Sequence, residues 1–209
     1  MKIWLIPFNK KLKYISSAEE SIARNLSINK ANSYRFSRGY LRFCLSKVLN
    51  ISPKDIPLYS LPGKPPKILG NYGKISMSHC KDALLVGFSS KGIGVDIENI
   101  NRIINIERFL KSKIISEKER MQIKKLNKDS QSKELMKIWV LKEAAIKFSL
   151  GSVMNDFKKW DLLNDNKIAK NSFLNLQINV MNKEIKNWSI GLATEEEIID
   201  SSFLVEFLN

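Results

Sequence analysis

Asp96 and Glu98, in the run Gly94-Val95-Asp96-Ile97-Glu98, are spaced i and i+2. On a strand that spacing points both carboxylates the same way, with Cα atoms about 6.5–7 Å apart, while Ile93, Val95 and Ile97 face the opposite side. Two like charges on one sheet face repel each other, so the arrangement is disfavoured unless a cation or a bound proton compensates it. A hard divalent metal supplies that compensation. All-oxygen ligation points to Mg²⁺, which keeps several waters and is shared between one or two carboxylates and substrate phosphates. Taken alone, an Asp-x-Glu pair also reads as an exposed edge with both acids in water.

A second signal lies in Lys137 to Phe148. As a helix this run puts Ile138, Leu141, Ala145 and Phe148 on one apolar stripe, with Trp139, Glu143 and Lys147 at i, i+4 and i+8 on a different face. An exposed Glu-to-Lys pair at i, i+4 contributes only about 0.3–0.5 kcal/mol. Val140, Ala144 and Ile146 leave little polar surface around this helix, so Glu143 and Lys147 are expected to face a cleft or an interface. A third metal carboxylate, with a phosphate-neutralising lysine one turn on, would fit the first pair. The single histidine, His79, ends a strand at a turn, where an imidazole donates to a phosphate oxygen or simply completes the turn. Gly63-Lys64-Pro65 holds a lysine on a stiff loop. Arg35, Arg38 and Arg42 align along one stripe of a helix, which by itself reads as a solvated basic face. No phosphate-binding GxxxxGK[ST] loop, GxSxG elbow, HExxH pair or EF-hand loop occurs.

The elements that must position these groups follow from periodicity and breakers. Residues 1–8 read as a first strand, 18–28 as a short helix and 33–50 as a longer one with Leu41, Leu45 and Val48–Leu49 inward. The proline- and glycine-rich span 52–73 is a loop region with one short extended piece. Strands at 75–78, 83–88 and 93–98 suggest an antiparallel meander. Helices dominate 105–150, interrupted at Asn127 to Ser130, and strands return at 172–181, 187–193 and 203–208, joined through 182–186 and 194–201. Strands, helices and strands again indicate an α+β fold. Ala83 to Phe88 and Trp188 to Ala193 resemble each other, as a duplicated half-domain would, and as two unrelated hairpins also can.

With 209 residues, 44% hydrophobic and 27% charged, the chain has ordinary globular composition and room for one large domain or two small subdomains. Lys and Arg number 35 against 21 Asp and Glu, a formal charge of +14, which draws anionic partners of any kind. The apolar start is broken by Pro7 without a cleavage-type sequence, and no uncharged stretch approaches the roughly 20 residues of a membrane span. A soluble chain without membrane attachment is expected. Two cysteines without a CxxC, and one histidine, leave no thiolate zinc site and suggest a reducing, cytoplasmic setting.

In order and spacing these segments resemble the 4′-phosphopantetheinyl transferases of the surfactin-synthetase-activating (Sfp) type. The resemblance rests on Gly63-Lys64-Pro65, Ser76 to Cys80, Gly94 to Glu98, Ser116 to Glu119 and Trp139 to Lys147, within about residues 35–155. The chain departs from the family pattern at Ser76 for asparagine, at Ile115 for phenylalanine, and in having only Gly151 in the turn after Lys147. The resemblance implies transfer of the 4′-phosphopantetheine arm from coenzyme A to a serine of an acidic carrier protein, releasing adenosine 3′,5′-bisphosphate. It implies Mg²⁺ on Asp96, Glu98 and Glu143, and catalytic roles for Glu143, Lys147 and Asp96. It places Arg38, Lys64, Ser78, His79, Lys142 and Lys147 on coenzyme A, and matches Glu119 to a family glutamate. It also implies two pseudo-symmetric halves, each a small antiparallel sheet packed with helices, near 1–93 on the nucleotide side and 94–209 with the metal and catalytic helix. The site would lie between them in a monomer. The rival readings are a metal-dependent nuclease and a basic nucleic-acid-binding protein. Glu143 and Lys147 share a helix, unlike the strand-borne acid-x-lysine of such nucleases, and simple nucleic-acid binding gives no reason for the paired acids.

Overall fold

The structure, a computed structural model, describes residues 1–60, 64–112, 114–163, 165–198 and 203–208. Pro62 and Gly63, and residues 199–201 of the expected connection at 194–201, lie outside these. The first half opens with β1 (Lys2–Pro7), followed by helices α1 (Ser17–Arg24) and α2 (Ile28–Leu49). Ser16 and Glu19 form a capping box that fixes the start of α1. In the proline-rich region β2 (Leu58–Tyr59) and β3 (Lys67–Ile68) make one small ladder. The hairpin of β4 (Lys74–His79) and β5 (Ala83–Ser89) completes the half.

The second half repeats the plan. It opens with β6 (Gly94–Asn99), then α3 (Ile106–Lys111), α4 (Glu117–Lys124) and α5 (Lys128–Phe148). Asn127 caps α5 and so begins the helix, where an interruption reaching Ser130 was expected. The short α6 (Val153–Asp156) leads to β7 (Trp160–Leu163), β8 (Ile168–Asn171), β9 (Leu176–Ile185), β10 (Trp188–Thr194) and β11 (Val205–Phe207). The first sheet has the order β11-β1-β5-β4 and the second β6-β10-β9-β8-β7. The fold is α+β, with a helix packed on each sheet. One pair departs from the antiparallel rule: β11 runs parallel to β1, so this piece of the second segment belongs to the first sheet.

The expected meander of β4, β5 and β6 does not form. β5 is already flanked by β1 and β4, which leaves no free edge, and β6 pairs with β10 with Asp96 opposite Gly191. Helix α5 lies so close to this pair that a Cβ on Gly94 would stand 2.0 Å from the Ala144 carbonyl oxygen, and one on Gly191 2.2 Å from that of Val140. Strands β7 and β8 were not anticipated, being four residues each and joined through Asp165 and Asn166 at positive φ. The stretch 172–175, expected as strand, is a turn in which the Asn171 side chain accepts from the backbone N–H of Phe173 and Leu174. The stretch expected as a connection at 182–186 is mostly strand, with the hairpin bend at Lys186, φ 53°.

The halves correspond element by element: β1-α1-α2-β4-β5 against β6-α4-α5-β9-β10, with strand orders β1-β5-β4 and β6-β10-β9. The correspondence reaches side chains. Glu19, third residue of a capping box on α1, accepts from Arg42 of α2 at 2.7 Å, and Glu119, third residue of a capping box on α4, accepts from Lys142 of α5 at 2.7 Å. Both pairs are 23 residues apart and buried. One apolar cluster lies between α2 and the first sheet, a second between α5 and the second sheet. A third, with Leu5 and Leu85 of the first sheet against Val95, Ile97, Ile190 and Leu192 of the second, joins the halves.

Candidate active site

The two sheets meet where edge strand β4 runs beside edge strand β6. Ser76 Oγ accepts from the backbone N–H of Val95, so a side chain on one strand satisfies the ladder group of the other. One step along, Ser78 Oγ donates to Asp96 Oδ1 at 2.6 Å. Strand alternation sends Val95 and Ile97 into the inter-sheet cluster and Asp96 toward α5. From α5, Lys147 Nζ donates to Asp96 Oδ1 at 2.6 Å and to Ser78 Oγ at 2.8 Å, and lies 3.4 Å from Glu143 Oε2. Asp96, Glu143, Lys147 and Ser78 thus converge from three elements.

This cluster is short of positive charge. Asp96 Oδ2 is buried and has no hydrogen-bond partner among the described residues. Burial first, and the Asp96 charge second, push the Glu143 carboxyl up to about 7, while Lys147 acts the other way. Glu98 follows on the same strand face, but its carboxylate is taken by Arg102, and burial raises its pKa against that pairing. Among the described residues no three acidic, histidine or cysteine side chains stand close enough to enclose an ion as they are. The donor set nevertheless suits a hard dication: all oxygen, one carboxylate oxygen buried and unpaired, and a second carboxyl driven toward protonation because cationic charge is lacking.

The other expected site residues are spread around this centre. Arg38 is 93% buried, since 7% of its surface is exposed, and meets no carboxylate among the described residues. Among the described residues its Nε has no partner, one terminal nitrogen contacts Met77 Sδ at 3.9 Å, and the guanidinium lies over the Tyr34 ring, whose buried hydroxyl likewise has no partner among them. A buried cation so placed has an unmet requirement for an anion. The expectation of a solvated arginine face is therefore corrected: Arg42 is paired with Glu19, Arg35 with Glu20, and Arg38 is enclosed. Only the long-range partners, invisible in helix periodicity, decide this.

His79 lies at the exposed end of β4 with its ring centroid 6.5 Å from that of Phe8. Crowding by the protein, then the Lys147 charge, lowers its pKa, so the ring is neutral at pH 7. A cavity of 870 Å³ opens beside it, walled by Phe8, Phe36, Lys10 and Lys81 among others. Asp96, Glu143 and Lys147 do not line that cavity, and neither does Arg38. Lys10 and Lys81 had no signal in the sequence, being two of many dispersed lysines. Lys64 is exposed on its loop.

Lys142 departs from its expected place on coenzyme A. Its ammonium is buried, donating to Glu119 Oε2 at 2.7 Å and to the Ile114 carbonyl at 2.9 Å. Glu119 also receives the backbone N–H groups of Ser116 and Leu162. Lys142 and Glu119 thus fasten α5 to α4 and β7.

The family model of the 4′-phosphopantetheinyl transferase superfamily matches residues 92–196, half of the chain, with Asp96, Glu98, Glu143 and Lys147 inside the match. The chain belongs to that superfamily. It is an enzyme of the class that transfers 4′-phosphopantetheine to carrier proteins. Among solved structures, a holo-(acyl-carrier-protein) synthase from Bacillus anthracis str. Ames in complex with CoA (3′,5′-ADP) is 23% identical, with a TM-score of 0.42; the match covers 49% of this chain and 92% of that one. The curated proteins give no match.

Proposed function

We propose that this chain is a transferase of the Sfp type, moving 4′-phosphopantetheine from coenzyme A to a serine of an acidic carrier protein, with Mg²⁺ held by Asp96, Glu98 and Glu143. The observation that carries the reading is the buried convergence of Asp96 and Glu143 on one ammonium, with Asp96 Oδ2 left unpaired. The Sfp type is supported by the presence of both half-folds in one chain, with the site at their junction, which favours a monomer. Free Cys44 and Cys80 accord with a reducing, cytoplasmic setting. Among the described residues, no helix is long and apolar enough to cross a membrane.

Asp96, Glu98 and Glu143 would hold the dication, which when bound would supply positive charge for the diphosphate of coenzyme A and its leaving phosphate. Lys147 neutralises a second share of that charge. Arg38 supplies the enclosed positive group for the 3′-phosphate, with His79 and Lys64 nearer the nucleotide and Ser78 fixing Asp96. The carrier serine oxygen attacks the phosphorus on the pantetheine side, and the bond from that phosphorus to the bridging oxygen breaks. Adenosine 3′,5′-bisphosphate departs with the electron pair. Glu143 takes the serine proton. A chain of formal charge +14 attracts an acidic carrier and holds it more weakly as salt rises.

The test is mass spectrometry of apo carrier proteins incubated with coenzyme A and Mg²⁺. A gain of one phosphopantetheine group is expected, and Asp96→Ala should reduce transfer by about 10³-fold or more, the scale of losing a principal electrostatic group, with its circular dichroism unchanged. Full transfer by the Asp96→Ala variant contradicts the assignment. Degradation of nucleic acid in the same buffer would favour the nuclease reading.

A further inference from the structure

Two cations of the chain itself occupy the carboxylates assigned to the metal. Lys147 spans Asp96 and Glu143, at 2.6 and 3.4 Å, with Ser78 as its third contact. Arg102, four residues beyond Glu98, holds that carboxylate, and its guanidinium lies 5.3 Å from the ring centroid of Trp139. Trp139 stands two turns before Lys147 on the same face of α5, so both cations are organised by one helix. Their exposures differ from those of their partners. The side chains of Lys147 and Arg102 are 24% and 48% exposed, against 3% for Asp96 and 18% for Glu98. The acids are fixed in the protein, whereas the cations sit on flexible stems with a route to solvent.

We propose that Lys147 and Arg102 are tethered counter-ions of the metal site: they neutralise its carboxylates while the dication is absent, yield them when it binds, and move onto an incoming anionic substrate. The inference rests on the metal site proposed above. It follows from charge. Asp96 Oδ1 already accepts from Lys147 and Ser78, so the buried Oδ2, unpaired among the described residues, is the oxygen left for an ion, within direct reach of the Lys147 charge. A dication placed there meets an ammonium on the other oxygen of the same carboxylate, in surroundings where water screens little. Glu98 gives one oxygen to Arg102, so an ion on that carboxylate likewise meets a neighbouring positive charge. A substrate diphosphate removes both penalties by giving the ammonium and the guanidinium another partner. Metal and diphosphate therefore bind with positive coupling, and by linkage each tightens the other by the same factor.

The experiment titrates Mn²⁺ into the purified chain, by electron paramagnetic resonance of the free ion, with and without inorganic pyrophosphate and without any carrier, each series corrected by a protein-free blank for Mn²⁺ held by pyrophosphate itself. Wild type should bind Mn²⁺ weakly alone and more tightly with pyrophosphate. Lys147→Met, which keeps the stem and removes the charge, should bind Mn²⁺ alone about ten-fold more tightly and lose most of the pyrophosphate effect. Arg102→Gln, at the more exposed of the two cations, should shift in the same direction by about three-fold. Unchanged or weaker Mn²⁺ binding by both variants, with thermal melts showing them folded, overturns the counter-ion role. Wild-type Mn²⁺ binding that Asp96→Asn leaves intact overturns the metal assignment itself, a separate failure.

Discussion

Glu143 carries a pH signature with a defined sign. Its carboxyl is pushed up to about 7 from an ordinary 4.5, so the folded chain holds this proton where the unfolded chain has lost it. The metal-free protein should therefore be favoured by this group below about pH 4.5 and lose that contribution as the pH rises through 7. Glu143→Gln removes the dependence. In chelator-treated samples the variant should melt several degrees above wild type at pH 8 and converge with it at pH 5, at about 2–4 °C per kcal/mol for a chain of this size. A constant difference across that range would contradict the shift. The meeting of Asp96, Glu143 and Lys147 was legible early because strand and helix periods place them on defined faces. Arg102 was not legible: its meaning lies in which acid it holds, and no period reports that.

Among the elements, α5 depends on a lysine that faces away from the chemistry. Lys142→Met leaves Glu119 charged, buried and facing an alkyl chain, which should cost about 3–5 kcal/mol, whereas replacing both partners, Lys142→Met with Glu119→Gln, should restore most of it. Urea denaturation curves measure this. A single variant no worse than the double would show that the pair is not a unit. Lys142 was misplaced in the sequence reading because it adjoins Glu143 in a motif-bearing segment, while its orientation is set by Glu119 in another helix. The helices themselves were legible from their apolar stripes. The strand partners were not: the place of β6 is decided by Gly94 and Gly191, where absent side chains let α5 approach, and absence leaves no pattern to read.

Across the whole molecule, the half-folds correspond but their chemistry does not. The register of β1 with β5 and of β6 with β10 sets Trp4 against Asp96 and Ile6 against Glu98; on the helices Phe43 matches Glu143 and Lys47 matches Lys147. No acid remains at the three first-half positions. β11 closes what is left, since Glu206 accepts from Trp4 Nε1 at 2.9 Å and sits 3.4 Å from Lys47 Nζ. The similarity of the two hairpins was visible beforehand, but this closure was not, because it needs a strand from the far end of the chain.

That stopper of indole, glutamate and lysine has a consequence for counting. A protein laid out twice along its length should saturate with a single equivalent of Mn²⁺ per polypeptide in equilibrium dialysis, and a stoichiometry of two would mean that the plugged twin still works.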